Sequence, residues 1–241
     1  MAKPHSKDAR VFLDIGDLSG ASTMLSVKTQ RAMPEVTAFG DSGRIHQAGP
    51  SEDEFDIETI FDDTATSGVD VLLEAMLGAE KVTTLWPYGD AIGAKGWGGG
   101  TAMADKYALT SALPEMVVGS AHGSFNAQAE HITSLQVKDT SAISATQNGT
   151  SIDDSSSSSS GGAWYYHVFT ITASGGNAVW KVDFQHSTNN STWADKDSVY
   201  VSAVGAARRE VTGTINRYVR QVRTLDASSG TIISSISYIR D

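Results

Sequence analysis

The sequence predicts a mainly β fold, and three observations support this prediction. Residues 54–62 alternate between apolar and polar side chains, which is the period of a half-buried strand. Residues 163–241 contain several short strand-like segments separated by polar turns. The chain has 23 glycines but only 5 prolines, and its clearest helical pattern covers just residues 68–77.

The strand at residues 54–62 is predicted to have one buried face and one acidic face, because its side chains alternate with period 2. The residues predicted to face the core are Phe55, Ile57, Thr59 and Phe61. Those predicted to face the other way are Glu54, Asp56, Glu58, Ile60 and Asp62. A solvated strand face is one interpretation of these acids, and the wall of a negatively charged channel is the other.

A single amphipathic helix is expected at residues 68–77. Its apolar stripe has the spacing i, i+3, i+4, i+7 and i+8 and consists of Val69, Leu72, Leu73, Met76 and Leu77. Ser67 and Asp70 form a pattern typical of an N-terminal cap, and Gly78 follows where a C-terminal glycine belongs. A strand is expected next, at residues 81–86.

Residues 87–103 are rich in glycine, and the sequence predicts a long flexible loop there. Before the helix, residues 11–30 are predicted to form two strands about a turn at Asp17–Gly20, and a second turn is expected at residues 40–43. Strands are expected again near residues 106–112 and 132–137.

The segments in residues 163–241 are evenly spaced, which is typical of an antiparallel β-sandwich. Most of the aromatic residues there are expected in its core. Trp193 is the exception, because it follows the polar turn at residues 189–192. An exposed aromatic ring can stack on a sugar, so Trp193 is a candidate surface glycan contact.

The charge of −10 is unevenly distributed. Residues 1–160 contain 10 basic and 22 acidic residues, whereas residues 161–241 contain 8 and 6. An acidic protein is not expected to grip DNA, because phosphate contacts need Lys and Arg. The chain has no cysteine, no apolar signal-peptide segment at its start and no long apolar run, so we expect it to be made in a cytosol.

No motif in the sequence supports catalysis or a cofactor. The segment Gly40–Arg44 is similar to the nucleophile loop of trypsin-like proteases, but only His5 precedes it. The segment Gly98–Thr101 lacks the Gly-Lys-Ser/Thr ending of a phosphate loop, and no strong helix is expected after it. The six histidines lack the spacing of a zinc site, and His167 and His186 are expected to be satisfied sheet residues. We therefore expect no metal, no cofactor and no enzymatic activity.

Several segments of the first part, in their order along the chain, resemble the tail tube proteins of long-tailed bacteriophages. These are Val11–Gly20, Val36–Arg44 with its Thr-x-Phe-Gly-Asp turn, the acidic strand 52–62, and the helix that ends in Leu72–Gly78. The second part resembles the C-terminal modules found on many such proteins. It does so through Val182–Ser187, Thr192–Asp195 and Asn216–Arg220.

The resemblance implies two domains. Residues 1–138 would form the tail tube domain, a β-sandwich or barrel with one flanking helix. Residues 139–241 would form an immunoglobulin-like antiparallel β-sandwich on the surface. It also implies a virion protein, assembled in the host cytoplasm, whose rings, commonly of six copies, stack into a tube through which DNA is ejected. Its other partners would be the tail tip or baseplate, the tape measure and the tail terminator proteins.

Within this resemblance, Glu54, Asp56 and Glu58 are candidates for the lumen of the tube, because like charges would keep DNA from sticking. The glycine-rich loop, through Tyr88, Lys95 and Trp97, and the N-terminal residues 1–10 are candidates for contacts between rings. The alternatives are another virion or decoration protein with a carbohydrate-binding sandwich, and a hydrolase with an unrecognised carboxylate site.

Overall fold

The computed structural model of the protein describes residues 8–39, 42–64, 68–111, 116–126 and 129–241. Strands account for 59% of the described residues and helix for 4%, which confirms the predicted mainly β fold. The helix α1 spans Val69–Met76. The strands within these ranges are β1 (Arg10–Leu13), β2 (Gly16–Asp17), β3 (Ser22–Arg31), β4 (Ser51–Ile60), β5 (Lys81–Trp86), β6 (Gly96–Thr110), β7 (Val118–Phe125), β8 (Glu130–Ile132), β9 (Ser134–Lys138), β10 (Gln147–Asn148), β11 (Ile152–Asp153), β12 (Gly162–Ser174), β13 (Val179–Ser187), β14 (Ala194–Val201), β15 (Gly205–Val211), β16 (Tyr218–Asp226) and β17 (Ser229–Arg240).

The chain folds into two compact units, and each unit is made of segments that are separated along the sequence. Unit 1 comprises the described residues of Met1–Gly20, Val82–Gly100 and Glu130–Asp241, and unit 2 those of Ala21–Lys81 and Thr101–Ala129. Strand β6 therefore begins in unit 1 and ends in unit 2. The division into functional domains at residues 138 and 139 remains a prediction.

Unit 2 is an antiparallel sheet with α1 packed on one face. The strand order is β6, β7, β4, β3, with β6 contributing its residues from Thr101 onward. The predicted alternation is confirmed within β4, because Phe55, Ile57 and Thr59 are fully buried while the side chains between them are partly exposed. The prediction extended too far, because β4 ends at Ile60 and Phe61, which was expected to face the core, is partly exposed. Phe55 packs edge-on against Phe125 of β7, with ring centroids 5.3 Å apart.

The predicted helix is confirmed, and four of its five apolar residues are buried: Val69, Leu72, Leu73 and Met76. Leu77 departs from the prediction, because it lies after the last helical turn and is about half exposed. Gly78 has the expected positive φ, +68°. The predicted cap residue Ser67 lies outside the described residues, and the helix N-cap is Gly68, which makes no side-chain cap. A Cβ at Gly68 would meet the carbonyl oxygen of Asp62 at 2.5 Å, so only glycine fits there.

Most of unit 1 is the predicted antiparallel β-sandwich. One sheet has the order β10, β16, β13, β14, with β11 also paired to β16, and the other has the order β15, β12, β17, β9. The two sheets share one apolar core, in which Trp164, Trp180 and Phe184 are fully buried. In β13, Trp180, Val182 and Phe184 are alternate residues and all point into this core, as the period of a strand requires.

The other strands of unit 1 have the order β2, β1, β5, β6, with β8 paired to the first residues of β6. Residues 11–30 were predicted as two strands, but they form three, because Asp14 adopts a left-handed φ of +49° in a tight turn between β1 and β2. Moreover, β1 pairs with β5, and β3 pairs with β4. The two predicted strands are thus not partners of each other.

The prediction of a flexible loop at residues 87–103 is wrong for its second half, because β6 begins at Gly96. The glycines are there for close packing. A Cβ at Gly98 would lie 3.1 Å from the side chains of both Ile132 and Tyr165, and one at Gly100 would lie 3.0 Å from Arg208. Glycine in this strand lets neighbouring side chains approach the backbone.

His167 of β12 is a satisfied sheet histidine, as predicted. It is 1% exposed, with its Nδ1 2.9 Å from the carbonyl oxygen of Asp14 and its Nε2 3.1 Å from the hydroxyl of Thr84. Because a carbonyl only accepts hydrogen bonds, Nδ1 carries the proton and Nε2 accepts from Thr84. Burial lowers the pKa of His167 to about 4. His186 lies in the other sheet of the sandwich and accepts a hydrogen bond from the backbone of Asn216.

Candidate assembly surface

The outer face of the unit 2 sheet is acidic along β4. Glu54, Asp56 and Glu58, the three candidate lumen residues, all lie on this face and are partly exposed. Their alternation with the buried Phe55 and Ile57 places them there, since successive side chains of a strand point to opposite faces. The prediction that these acids share one exposed face of the strand is therefore confirmed. Their role in the lumen of a tube remains a prediction.

Two of these carboxylates have basic neighbours on the same face. Lys28 of β3 pairs with Glu54, with 3.0 Å between Nζ and Oε2. His122 of β7 lies between two acids, with Nδ1 2.9 Å from Asp56 and Nε2 3.9 Å from Asp105. Both pairs are partly exposed and therefore contribute little to stability. Even with Lys28 and His122 counted, this face has more acidic than basic groups.

The strand β3 next to β4 has an open edge. Among the described residues it pairs only with β4, through a register that runs from Ser22 opposite Thr59 to Arg31 opposite Ser51. All ten of its residues are exposed or partly exposed. Such an edge presents a row of backbone N–H and C=O groups that another strand can pair with.

The hairpin of β3 and β4 continues beyond both strands into a long projection, residues 32–39 and 42–50, which we call the hairpin arm. Four backbone hydrogen bonds connect its two sides, including Val36 N to Ile45 O at 2.8 Å and Gln47 N to Pro34 O at 3.0 Å. Nearly all of its described residues are exposed. The exposed apolar side chains on it are Met33, Val36, Phe39 and Ile45.

Sequence patterns did not identify the hairpin arm as a candidate contact surface. The turn expected at residues 40–43 was recognised, although Gly40 and Asp41 lie outside the described residues. What was missed is that Phe39 and Ile45 flank this turn with no core to cover them. A cluster of apolar residues beside a glycine-containing turn is a signal that could have found the arm.

The three candidate residues of the glycine-rich segment do not form one exposed loop surface. Tyr88 is 59% exposed and Lys95 is also exposed. Trp97 instead lies within β6 and is only partly exposed, with its ring 5.9 Å from that of Tyr88 and 5.4 Å from that of His131. Tyr88 and Trp97 are thus neighbours. Residues 1–7 of the candidate N-terminal segment lie outside the described residues.

Trp193, the candidate glycan contact, is partly exposed, and one face of its ring is covered. The guanidinium of Arg220 lies 4.2 Å from the ring centroid, a cation–π arrangement. Arg220 is held there by donating a hydrogen bond of 2.8 Å from Nε to Gln185. Only the opposite face of the indole is therefore open for stacking.

Two further findings concern the described residues alone. They contain no group of three or more His, Cys, Asp or Glu side chains placed to hold a metal ion. No helix among them is long and apolar enough to cross a membrane.

Comparisons with known proteins give distant structural neighbours, of which three are described below. No protein family matches the sequence, and no curated protein matches it. A chain of the virion of a native gene transfer agent particle is 12% identical, with a TM-score of 0.42, over 53% of this chain and 97% of that one. A chain of the tail of an empty gene transfer agent particle with C6 symmetry is 11% identical, with a TM-score of 0.41, over 52% and 96%.

A third neighbour is the Dit protein of phage SPP1, described as a hub adsorption apparatus of phages that infect Gram-positive bacteria. It is 9% identical, with a TM-score of 0.36, over 96% of this chain and 98% of that one. At such identities and scores, none of the three likenesses establishes a shared family or function.

Proposed function

We propose that the chain is a structural subunit of a bacteriophage tail, and that its copies form stacked rings that make up the tail tube. The observation that carries this proposal is the open edge of β3 directly beside the acidic face of β4. The resemblance of the sequence segments to tail tube proteins supports it. In this proposal the protein belongs to the virion, is assembled in the host cytoplasm and has no catalytic role.

The open edge supports assembly because a ring needs head-to-tail contacts. Each subunit must present one surface that binds a different surface of the next copy, until the rotation closes. A strand of a neighbouring copy could pair with the backbone groups that alternate residues between Met24 and Arg31 direct away from β4. The number of copies, commonly six in the family that the sequence resembles, is part of the proposal.

The acidic face supports the passage of DNA through such a ring. Carboxylates and phosphates repel each other, and at physiological salt this repulsion extends over about 8 Å. Tight binding to DNA needs Lys or Arg to displace counterions from the phosphates. A bore lined by Glu54, Asp56 and Glu58 would let DNA slide without specific binding. The tail tip, tape measure and tail terminator would be the other partners.

The hairpin arm supports contacts beyond one subunit. Exposed apolar side chains gain about 25 cal/mol for each Å² that an interface removes from water. Phe39 is fully exposed, and Met33 and Ile45 are each about half exposed. We propose that the arm packs on a neighbouring copy. The sandwich of unit 1, most of which falls within residues 139–241, would then form the surface of the tail.

The arm predicts a specific loss of assembly. We expect the purified protein to form rings or tubes in negative-stain electron microscopy, and the double variant Phe39→Ser, Ile45→Ser to stay dispersed, because its arm no longer offers apolar surface to a neighbour. The matched control is Tyr200→Ser, Val204→Ser, which removes two exposed apolar side chains from the sandwich. If the arm variant formed as many rings as the natural protein, and tubes of the same length, the proposed role of the arm would be contradicted.

The acidic face predicts a gain of DNA binding on charge reversal. Assemblies of the variant Asp56→Lys, Glu58→Lys are expected to retain short double-stranded DNA at low salt and to release it as salt rises, since the new cations contact phosphates. Co-sedimentation measures this retention. The control Asp195→Lys, Asp226→Lys makes the same charge change at exposed sites of the sandwich. Equal retention by both variants would show that DNA binding reports only net charge.

A further inference from the structure

A row of three polar side chains crosses the outer face of one sheet of the sandwich. In the register of β14, β13 and β16, Asp195, Gln185 and Arg220 are direct neighbours. They lie on the face opposite the core, because Phe184, the residue before Gln185, is fully buried in that core. Trp193 lies at the end of the row, against the guanidinium of Arg220. None of these residues belongs to the surfaces proposed for assembly, so a role for them does not depend on the tail tube.

The guanidinium of Arg220 is held in place from two sides. It lies 4.2 Å from the centroid of the Trp193 ring, and its Nε donates a hydrogen bond of 2.8 Å to Oε1 of Gln185. Gln185 is itself fixed, because its Nε2 donates a hydrogen bond of 2.7 Å to Asp195. A side chain that is already ordered loses little conformational entropy when it binds a ligand. This cation is therefore preorganised.

Arg220 has no counter-charge among the described residues. Its two terminal nitrogens, Nη1 and Nη2, make no hydrogen bond and no ion pair with any of them. Both nitrogens are accessible to solvent, because the side chain is only partly buried and neither nitrogen is among the enclosed polar atoms that lack a partner. A ligand can therefore reach donors of this guanidinium that the protein itself leaves free.

Arg217, three residues earlier, shows the contrast. Its guanidinium also lies over an aromatic ring, 5.1 Å from that of Tyr218, but two hydrogen bonds of 2.6 Å pair it with Asp153. Its hydrogen bond to Asp153 raises the pKa of Arg217, whereas burial lowers the pKa of Arg220. A partly buried cation without a counter-charge is stabilised by an anion that binds to it.

We propose that Arg220, positioned by Trp193 and Gln185, is a binding site for an oxyanion, the carboxylate or phosphate group of a ligand. A guanidinium presents N–H donors in a planar fork that fits either group. The acid next to the site, Asp195, does not prevent this, because Lys181 lies 3.7 Å from its carboxylate and offsets its charge.

Saturation-transfer NMR on the full chain tests the site with three probes that share one sugar ring. Glucuronate carries a carboxylate, glucose 6-phosphate carries a phosphate, and glucose is the neutral control. The ionic strength is held constant with sodium chloride. We expect at least one of the two anionic probes to receive saturation at millimolar concentration, and glucose to receive much less. The anionic probe that binds more tightly identifies which of the two groups the site prefers.

Two variants remove the free cation in different ways. Arg220→Gln deletes it, and Gln185→Glu supplies the missing counter-charge while Arg220 remains. Each should weaken binding of the anionic probe about tenfold, because charge-assisted hydrogen bonds to the ligand are lost. The control Arg217→Gln removes the same charge from an arginine that is already paired, and it should leave binding unchanged. Circular dichroism should show an unchanged fold for all three variants, because these side chains are at least partly exposed.

The proposal is wrong if neither anionic probe receives more saturation than glucose, because charge would then play no part in binding. It is also wrong if both Arg220→Gln and Gln185→Glu bind the anionic probe as tightly as the natural protein, which would place the anion elsewhere. Equal weakening by Arg217→Gln and Arg220→Gln would contradict it as well, since binding would then depend only on the net charge of the sheet.

Discussion

Replacing Asp139 with alanine is expected to lower the free energy of unfolding of unit 1 by about 3–5 kcal/mol, because it leaves the buried Arg223 without its counter-charge. The carboxylate of Asp139 accepts hydrogen bonds from Arg223 and from both the backbone and the hydroxyl of Ser234. The side chains of Asp139 and Arg223 are only 6% and 3% exposed. One substitution therefore breaks an ion pair and two further hydrogen bonds in the interior.

The chain contains a matched control for this prediction. Asp153 and Arg217 form a similar ion pair with two hydrogen bonds of 2.6 Å, but their side chains are 41% and 46% exposed. Asp153→Ala is therefore expected to lower the free energy of unfolding far less than Asp139→Ala, because solvent screens this exposed pair. The double variant Asp139→Leu, Arg223→Met should recover much of the loss, since it leaves no buried charge unpaired.

Urea denaturation followed by tryptophan fluorescence measures these changes in the free energy of unfolding of unit 1. The five tryptophans of the chain, Trp86, Trp97, Trp164, Trp180 and Trp193, all belong to unit 1. An Asp139→Ala variant no less stable than Asp153→Ala would show that burial of the pair does not determine its contribution.

The second large effect is a loss of stability of unit 1 as the pH falls from about 6.5 to 4. Burial lowers the pKa of His167 from its ordinary value of 6.5 to about 4 in the folded protein. Between these values the unfolded chain binds a proton that the folded chain does not, so the contribution of His167 is complete above pH 6.5 and is lost as the pH falls toward 4. The expected loss is about 3 kcal/mol.

The variant His167→Gln tests this assignment, because glutamine keeps a donor and an acceptor but does not titrate in this range. Its free energy of unfolding at pH 7 should be lower than that of the natural protein, and its decrease between pH 6.5 and 4 should be smaller by about 3 kcal/mol. The control is His131→Gln, since His131 is an exposed histidine of the same unit. If the free energy of unfolding fell equally between pH 6.5 and 4 in His167→Gln and in the natural protein, groups other than His167 would cause the acid sensitivity.

The spacing of apolar residues predicted those strands and the helix whose pattern is formed by residues close together in the sequence. The alternation in β4 and the apolar stripe of α1 each follow from residues a few positions apart, and the structure confirms both. The turn-separated strands of residues 163–241 likewise predicted a sandwich, which is present. In each case, one side of the element faces a core, and that produces the pattern.

What the sequence did not predict depends on residues that are distant along the chain. Gly98 and Gly100 look flexible in isolation, and only the packing of Ile132, Tyr165 and Arg208 against them explains why they are in a strand. Equally, no local pattern shows that the apolar residues of the hairpin arm, Phe39 among them, have no core to cover them. The pairing of β1 with β5 is also long-range.

The buried ion pair of Arg223 and Asp139 could not be predicted from the sequence either, because it too joins residues that are distant along the chain. The two residues are 84 positions apart, and neither belongs to a motif. By contrast, the acidic residues of β4 are close in sequence, so their common face could be predicted. Their position in an assembly could not, because it depends on surfaces of other copies.

Electron cryomicroscopy of the particles assembled from the purified full chain tests the proposed tail tube most directly. We expect closed rings that stack into a hollow tube, with β3 of each subunit paired to a strand of its neighbour. Glu54, Asp56 and Glu58 should line the bore. A protein that stays monomeric at high concentration, or a tube whose bore is lined by another face while these three carboxylates point outward, would contradict the proposal.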